Sequence, residues 1–274
     1  MPLAYWVHTW DPFFIEFSDG VGIRYYGLAY LAGFVAAAWL LFRYHKAGRS
    51  PFDLGAIIDL MTYIVAGVLL GGRLGYFALY QMDSVRSDPM AIFRVWEGGM
   101  ASHGGFLGVL IAMAWWARKR TVTLFRVSDL IVTVTPAGLL FGRIANFING
   151  ELYGKIADVP WAVIFPQSAA PGQPLHLILP RHPSQLYEAA LEGVVLLALM
   201  QWRFWRTDVA RAQPGRLSGE FLIAYSALRM IGELFREPDA SLLLGVSRGT
   251  FYSVFLIVAG VLIITRTPKA TART

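Results

Sequence analysis

Long apolar stretches constrain this chain more than any other feature of its sequence. A membrane-spanning helix needs about 20 consecutive, mostly apolar residues. Seven stretches reach or approach that length: residues 23–42, 57–79, 104–117, 130–148, 186–205, 221–235 and 251–265. Only 15% of the 274 residues are charged, against about 25% in an average soluble domain. We therefore predict an all-α polytopic membrane protein with about seven transmembrane helices. Six or eight spans also fit, because three of the stretches are short.

The distribution of Lys and Arg predicts the orientation, because cytoplasmic loops retain basic residues. Three or four basic residues follow the first, third, fifth and seventh stretches, whereas the intervening loops carry two each. With seven spans, this alternation places the N-terminus outside and the C-terminus in the cytoplasm. The net charge of +6 largely reflects this pattern, so we predict no nucleic-acid partner.

Two segments outside the apolar stretches, residues 1–21 and 150–184, differ from them in composition. Residues 1–21 lack the basic start and continuous apolar core of a signal peptide. Their aromatic residues favour an N-terminal segment that lies in the outer membrane interface. Residues 150–184 contain six prolines and predict a small extracytoplasmic lobe of short strands and turns. We treat residues 1–274 as a single membrane-embedded domain.

The chain contains no cysteine. Disulfides, thiolate metal sites and an enzyme-borne Cys nucleophile are therefore excluded. Any thiol chemistry at this protein must use a sulfur atom that the substrate brings.

The densest group of polar residues closes the fourth apolar stretch, at residues 142–154. On a helix, Arg143, Asn146 and Asn149 share one face. The glycine-rich exit would bring Glu151 and Tyr153 close to them. Charges at membrane depth are costly and usually face a cavity. An arginine with two amides is suited to hold a phosphate and its hydroxyls, so this segment predicts an anion site.

A second polar face lies on the sixth stretch, where Tyr225, Arg229, Glu233 and Arg236 follow helical spacing. Arg229 and Glu233 would also fit a simple ion pair that neutralises both charges. That alternative leaves Tyr225 and Arg236 on the same face unexplained.

Three further segments hold candidate residues. Arg73, within a glycine-rich run, either binds substrate or extends to the lipid headgroups. Glycine pairs on both sides of His103 predict a distorted backbone that enters the membrane, with His103 as a general base. At the start of the fifth stretch, Ser184 is predicted to cap the helix, with Glu188 in its first turn. Alternatively, Gln185 and Glu188 face the polar cavity.

These segments together resemble the prolipoprotein diacylglyceryl transferase family. The resemblance covers nearly the whole chain and rests most specifically on the run 142–154. Further matching segments occur in family order: Tyr25-Tyr26-Gly27, residues 72–76, His103-Gly104-Gly105, residues 182–188, residues 225–229 and residues 235–239.

The resemblance implies a reaction in the bacterial cytoplasmic (inner) membrane. The charge alternation places the polar residues, and with them the predicted active site, toward its outer half. Family members move the diacylglyceryl group of phosphatidylglycerol to the lipobox cysteine of a prolipoprotein. A thioether forms and glycerol phosphate leaves, in the first step of lipoprotein maturation. The implied partners are phosphatidylglycerol, the prolipoprotein signal-peptide region and membrane lipids. No metal or cofactor is implied.

The resemblance implies that Arg143 and Arg229 are essential and that His103, Asn146, Gly154, Tyr26 and Tyr225 are important. The polar segments described above add the other candidates. The predicted catalytic residues are His103, Arg143, Tyr225 and Arg229. The predicted substrate-binding residues are Tyr26, Arg73, Arg143, Asn146, Glu151, Gly154, Gln185 and Glu233. The base that deprotonates the thiol is either His103 or Tyr225. An anionic-lipid transporter or flippase, or another enzyme that acts on phosphatidylglycerol headgroups, remains the alternative.

Overall fold

The structure is a computed structural model that describes residues 5–18, 20–94 and 98–267. Most of the described chain is helical. The helices are α1 (Tyr25–Lys46), α2 (Leu54–Tyr80), α3 (Met82–Ser87), α4 (Ser102–Lys119), α5 (Leu124–Val132), α6 (Thr135–Ile148), α7 (Ser184–Glu188), α8 (Leu196–Arg206), α9 (Val209–Ala212), α10 (Arg216–Glu233) and α11 (Arg248–Arg266). A π-helical segment, Ala189–Val195, joins α7 to α8. Residues 1–4 and 19 of the predicted N-terminal segment, and the basic residues beyond Thr267 that follow the seventh stretch, lie outside the described residues.

All seven apolar stretches coincide with helices, which confirms the mainly helical prediction. Three helices, α1, α2 and α11, are individually long and apolar enough to cross a membrane. The pair α5 and α6, bent by 47° at its break, would make a fourth span if counted as one. Length and composition therefore support three or four spans within the described residues, and the number seven stays a prediction.

Local sequence signals explain where several helices begin. Asp53 caps α2 by accepting a hydrogen bond from the Ala56 amide at 2.8 Å, and Ser247 caps α11 through the Thr250 amide at 3.2 Å. Pro136 lies in the first turn of α6, where its missing N–H costs nothing. The predicted cap by Ser184 is wrong, because its hydroxyl instead donates to the Leu152 carbonyl at 3.1 Å.

The chain divides into two compact units, residues 38–130 and residues 1–37 with 131–274. In the first unit, α2 and α4 pack through facing glycines. A methyl group added at Gly104 would lie 2.8 Å from Gly75 Cα, and one added at Gly108 would lie 2.8 Å from the Gly67 carbonyl carbon. Small residues four apart thus let the two backbones meet.

This packing corrects the prediction of distorted backbone on both sides of His103. Gly98 and Gly99 do adopt positive φ angles of 76° and 83°, as glycine permits. Gly104 and Gly105, however, lie inside the regular helix α4. The first glycine pair therefore bends the chain, whereas Gly104 in the second pair serves close helix packing.

The second unit carries short strands besides its helices. They are β1 (Trp6–Val7), β2 (Phe13–Ser18), β3 (Val21–Arg24) and β4 (Val163–Ile164). Strands β2 and β3 form an antiparallel hairpin, and β1 pairs in parallel with β4. The β1–β4 pairing ties the N-terminal segment to residues 150–184, which otherwise contain turns and two short 3₁₀ helices, Pro166–Ser168 and Leu175–Leu177.

Candidate active site

The charged site residues that the structure brings together all belong to the second unit. The arginine–glutamate cluster, as we name it, consists of Arg143, Glu188, Glu192, Arg229, Glu233 and Arg236. Helix α6 carries Arg143, the segment from α7 into the π-helix carries the first two glutamates, and α10 with its exit carries the rest.

Glu188 joins all three arginines. Its side chain is fully buried, and its carboxylate lies 3.0 Å from Arg143 Nη1, 2.8 Å from Arg229 Nη1 and 3.1 Å from Arg236 Nη1. Three cations around one carboxylate satisfy most of its acceptor positions. Glu188 is therefore the common anchor of the cluster, and the cap interpretation considered for it from sequence is wrong.

Glu192 bridges Arg143 on α6 and Arg229 on α10. It is also fully buried, and Oε2 accepts hydrogen bonds from Arg143 Nε at 3.2 Å and Nη2 at 2.9 Å. Its other oxygen, Oε1, accepts from Arg229 Nη1 at 3.1 Å. The neighbouring Gly193 explains how this is possible. A Cβ at Gly193 would lie 2.7 Å from Leu140 Cβ on α6, so the glycine lets the helix approach Arg143 closely.

Glu233 contacts Arg229 from the same helix, four residues on. The ion pair predicted from spacing is therefore present, although it is only one part of a larger cluster. The first turn of α11 covers this pair: a methyl group at Gly249 would lie 2.6 Å from Glu233 Cδ and 3.1 Å from Arg229 Nε. A carboxylate at a helix N-terminus is stabilised by the helix dipole.

Arg236 lies just past α10 and is 5% exposed. Its Nη2 pairs at 2.9 Å with Asp239, whose side chain is 61% exposed. Backbone pairing between Gly154 and Arg236 returns this segment to the site. The shared helical face that sequence indicated is present for Tyr225, Arg229 and Glu233 on α10. Its extension to Arg236 is wrong, because Arg236 lies past the end of the helix and joins the cluster from a bridge with Gly154.

A group of amides lies beside Arg143, one turn further along α6. Asn146 is buried and donates through Nδ2 to Glu151 Oε1 at 2.8 Å and to the Tyr26 hydroxyl at 3.5 Å. Asn149 Nδ2 lies 3.5 Å from the same Glu151 oxygen. The expected return of Glu151 toward the asparagines is confirmed. Gly150, with φ of 66°, makes the turn.

The loop after Gly150 is held from the side by the start of α7. Gln185 is fully buried and donates through Nε2 to the Glu151 carbonyl at 2.7 Å. Its Oε1 is buried without a protein partner among the described residues. Gln185 thus positions the Glu151 backbone and keeps one unused acceptor.

Gly154 has a clear packing reason to be a glycine. A Cβ there would lie 2.6 Å from both His182 Cβ and the Phe235 carbonyl oxygen. His182 packs edge-on against Phe235. Burial, with a smaller effect of the Lys155 ammonium, lowers the pKa of His182, which favours a neutral ring at neutral pH. The close approach of three chain segments explains why residue 154 is a glycine, whether or not it contacts substrate.

Tyr225 lies one turn before Arg229 on α10, and its ring stacks on Phe221 at 5.9 Å between centroids. Its phenol interacts electrostatically with Glu192 and Arg229. The structure thus brings Tyr225 to the same cluster.

Arg73 and His103 belong to the other unit. Arg73 is 5% exposed, so it does not extend to lipid headgroups as one sequence interpretation had it. Its Nε donates to the Ile92 carbonyl at 2.9 Å and Nη2 to those of Ala91 and Arg94 at 2.6 and 2.7 Å. Its Nη1 donates to Gly98 and Gly99. His103 lies exposed in the first turn of α4.

Sequence reasoning missed Glu192 altogether and placed Glu188 only as a possible cavity residue. One signal could have found them. Two glutamates four residues apart in an apolar stretch are as costly at membrane depth as Arg143. They therefore call for cationic partners, and the arginines on neighbouring stretches are the obvious ones.

Comparisons with known proteins agree with the resemblance found in the sequence. The family model of prolipoprotein diacylglyceryl transferase matches residues 12–266. A phosphatidylglycerol–prolipoprotein diacylglyceryl transferase of Aeromonas hydrophila is 43% identical over 266 residues, covering 95% of this chain and 92% of the relative. The Rhodospirillum centenum enzyme of that name is 44% identical over 271 residues, covering 96% and 94%. The Vibrio cholerae enzyme is 44% identical over 257 residues, covering 92% and 89%.

Proposed function

The chain belongs to the prolipoprotein diacylglyceryl transferase family, and on this premise we propose how it acts. It transfers the diacylglyceryl group of phosphatidylglycerol to the thiol of the lipobox cysteine in a prolipoprotein. A thioether forms and glycerol phosphate leaves. The chain is a bacterial membrane protein, as its family and apolar helices indicate.

One observation carries the proposal for the site. Arg143 and Arg229, on different helices, are held together by two fully buried glutamates, and each arginine keeps 12–15% of its side chain exposed. The remaining N–H groups of such fixed guanidinium forks suit a phosphate. Asn146 lies one turn along α6 from Arg143 and contacts Glu151 and Tyr26, and these three side chains carry groups that suit the hydroxyls of a glycerol headgroup.

The reaction requires charge stabilisation more than acid catalysis at the leaving group. The thiolate attacks a saturated glyceryl carbon, and the C–O bond to phosphate breaks as the C–S bond forms. The leaving phosphate ester gains negative charge during this step. Arg143 holds the phosphate, and Arg229, positioned by Glu233, stabilises the developing charge. Fixed dipoles and cations of this kind need no reorganisation at the moment of reaction.

The other predicted residues take supporting parts in this proposal. Gln185 positions the Glu151 backbone, and Gly154 allows the loop to pack against His182. Arg73 donates hydrogen bonds to backbone carbonyls within residues 91–94 and 98–99, so we assign it to holding these residues in place. His103 and Tyr225 remain the two candidates for the group that contacts the thiol.

The membrane arrangement is also part of the proposal. Seven spans place the N-terminus outside and the C-terminus in the cytoplasm. The arginine–glutamate cluster then lies toward the outer half, where a secreted precursor presents its cysteine. Exposed aromatic side chains support an interfacial N-terminal segment: Trp6, Trp10, Phe14 and Phe17 are 42%, 50%, 53% and 69% exposed. Residues 150–184 form the outer lobe, and both compact units serve one transferase domain.

A direct assay tests this function. Purified protein is mixed with phosphatidylglycerol and a synthetic lipobox peptide, and the peptide is analysed by mass spectrometry. We expect the peptide to gain the mass of one diacylglyceryl group. A peptide with Ser in place of the lipobox cysteine is the control and should stay unmodified.

The same assay separates the alternatives. A transporter or flippase would move labelled phosphatidylglycerol between leaflets and leave the peptide unchanged. Another headgroup enzyme would consume the lipid without modifying the peptide. Either outcome would overturn the proposed function.

A further inference from the structure

The charges of the arginine–glutamate cluster balance before any substrate is present. Arg143, Arg229 and Arg236 meet Glu188, Glu192 and Glu233, and all six side chains are 0–15% exposed. The additional partner of Arg236, Asp239, is 61% exposed and is therefore screened by water.

Phosphatidylglycerol disturbs this balance, because its phosphodiester brings one negative charge. An uncompensated charge in a buried site is strongly unfavourable. The phosphate also competes with the glutamates for the N–H groups of Arg143 and Arg229. Both effects favour the addition of one proton to a carboxylate of the cluster when the lipid binds.

The contacts distinguish the three carboxylates. Glu188 keeps Arg236 as a partner whatever happens at the other two arginines. Glu233 lies against the first turn of α11 at Gly249, whose dipole favours the charged form. Both ion-pair partners of Glu192 in the described structure, Arg143 and Arg229, are the proposed phosphate ligands. Glu192 is the carboxylate that phosphate binding leaves without a cation.

We propose that Glu192 is the proton store of the reaction: it takes one proton from solvent when the phosphodiester occupies Arg143 and Arg229, and gives that proton to the departing phosphate oxygen. The C–S bond forms while the C–O bond breaks, and the electron pair of the C–O bond stays on the phosphate oxygen, which accepts the Glu192 proton. The S–H proton then passes from the group that contacts the thiol to the emptied Glu192 carboxylate. When the phosphate monoester leaves, Glu192 releases this proton to solvent and returns to its ion pairs with Arg143 and Arg229.

This inference rests on the proposed function, since it assigns a phosphodiester to the two arginines. It has a test that needs no catalysis. Short-chain phosphatidylglycerol is titrated calorimetrically into the detergent-solubilised full chain without peptide, in buffers with different ionisation enthalpies. The difference in heat reports proton uptake, and we expect up to about one proton per lipid bound. Phosphatidylcholine of the same chain length, which has no net charge, should bind without proton uptake.

Variants locate the proton. Glu192→Gln resembles the protonated carboxylate, so it should bind phosphatidylglycerol without proton uptake and lose about 100-fold or more in transfer rate. Glu188→Gln should retain the uptake. Glu220→Gln is a matched control, because Glu220 pairs with Arg203 at 2.7 Å and Arg216 at 2.9 Å and has no part in the cluster. It should leave both uptake and transfer unchanged.

The outcomes are separable. Wild-type protein that transfers the diacylglyceryl group but takes up no proton on lipid binding would overturn this inference and leave the function intact. Uptake that persists in Glu192→Gln, or disappears in Glu188→Gln instead, would also overturn it. Absence of transfer by the wild type would overturn the function itself. If Glu192→Gln fails to fold, Glu192→Asp serves in its place and should keep the uptake.

Discussion

The Arg143 guanidinium contacts two carboxylates through all three of its nitrogen atoms. Its Nε and Nη2 contact Glu192 while Nη1 contacts Glu188. An ammonium keeps the charge but lacks the planar fork. We therefore predict that Arg143→Lys lowers kcat/KM for transfer at least about tenfold, with the fold retained.

The measurement is the peptide-modification assay, with thermal unfolding in detergent as the check on folding. Arg203→Lys is the matched control, since Arg203 forms a two-point pair with Glu220 away from the site. Full activity in both Arg143→Lys and Arg229→Lys would contradict the role assigned to these arginines.

The residue that contacts the thiol can be decided between His103 and Tyr225. If His103 contacts the thiol, His103→Asn should lower the transfer rate about 100-fold or more, and Tyr225→Phe should lower it less. Strong loss in Tyr225→Phe, with nearly normal transfer by His103→Asn, would assign the contact to Tyr225.

At the scale of elements, the α2–α4 pair depends on glycines at contact positions. A methyl group at Gly104 would lie 2.8 Å from Gly75 Cα, whereas one at Gly105 would meet nothing nearer than the Val68 carbonyl oxygen at 3.9 Å. We predict that Gly104→Ala destabilises the protein by about 1–3 kcal/mol, while Gly105→Ala has little effect.

Thermal unfolding of the two variants side by side measures this difference. Because the substitutions are identical in chemistry and adjacent in sequence, helix propensity cancels between them. Equal melting temperatures for the two variants would show that the helices do not pack through these glycines.

At the scale of the whole molecule, the orientation in the membrane can be tested without background labelling, because the chain has no cysteine. We predict that Ala170→Cys, in the proposed outer lobe, reacts with a membrane-impermeant maleimide added to intact spheroplasts. Thr123→Cys, in a loop proposed to be cytoplasmic, should react only after permeabilisation. Both residues are exposed, so access to reagent depends on the side of the membrane. The reverse pattern would invert the proposed topology.

Much of the molecule follows from local sequence. Apolar stretches indicated the helices because a chain in lipid must satisfy its backbone polar groups internally. The spacing of Tyr225, Arg229 and Glu233 indicated one helical face, since periodicity is a local property, whereas Arg236 lies past the end of α10. The run 142–154 identified Arg143 and Asn146, and the fold returned Glu151 to Asn146 as expected.

The tertiary structure decided which partners those residues have. Glu188 and Glu192 lie more than 35 positions from the arginines that they join. The periodicity of one segment does not predict contacts between residues so far apart in sequence. Gly104 looked like a site of distortion until α2 was placed beside it. The sequence by itself determined a membrane protein with arginines in an apolar interior. Only the packing of α6, α10 and the π-helical segment turned two isolated glutamates into the counterions of those arginines, because buried charges are defined by the neighbours that the fold supplies.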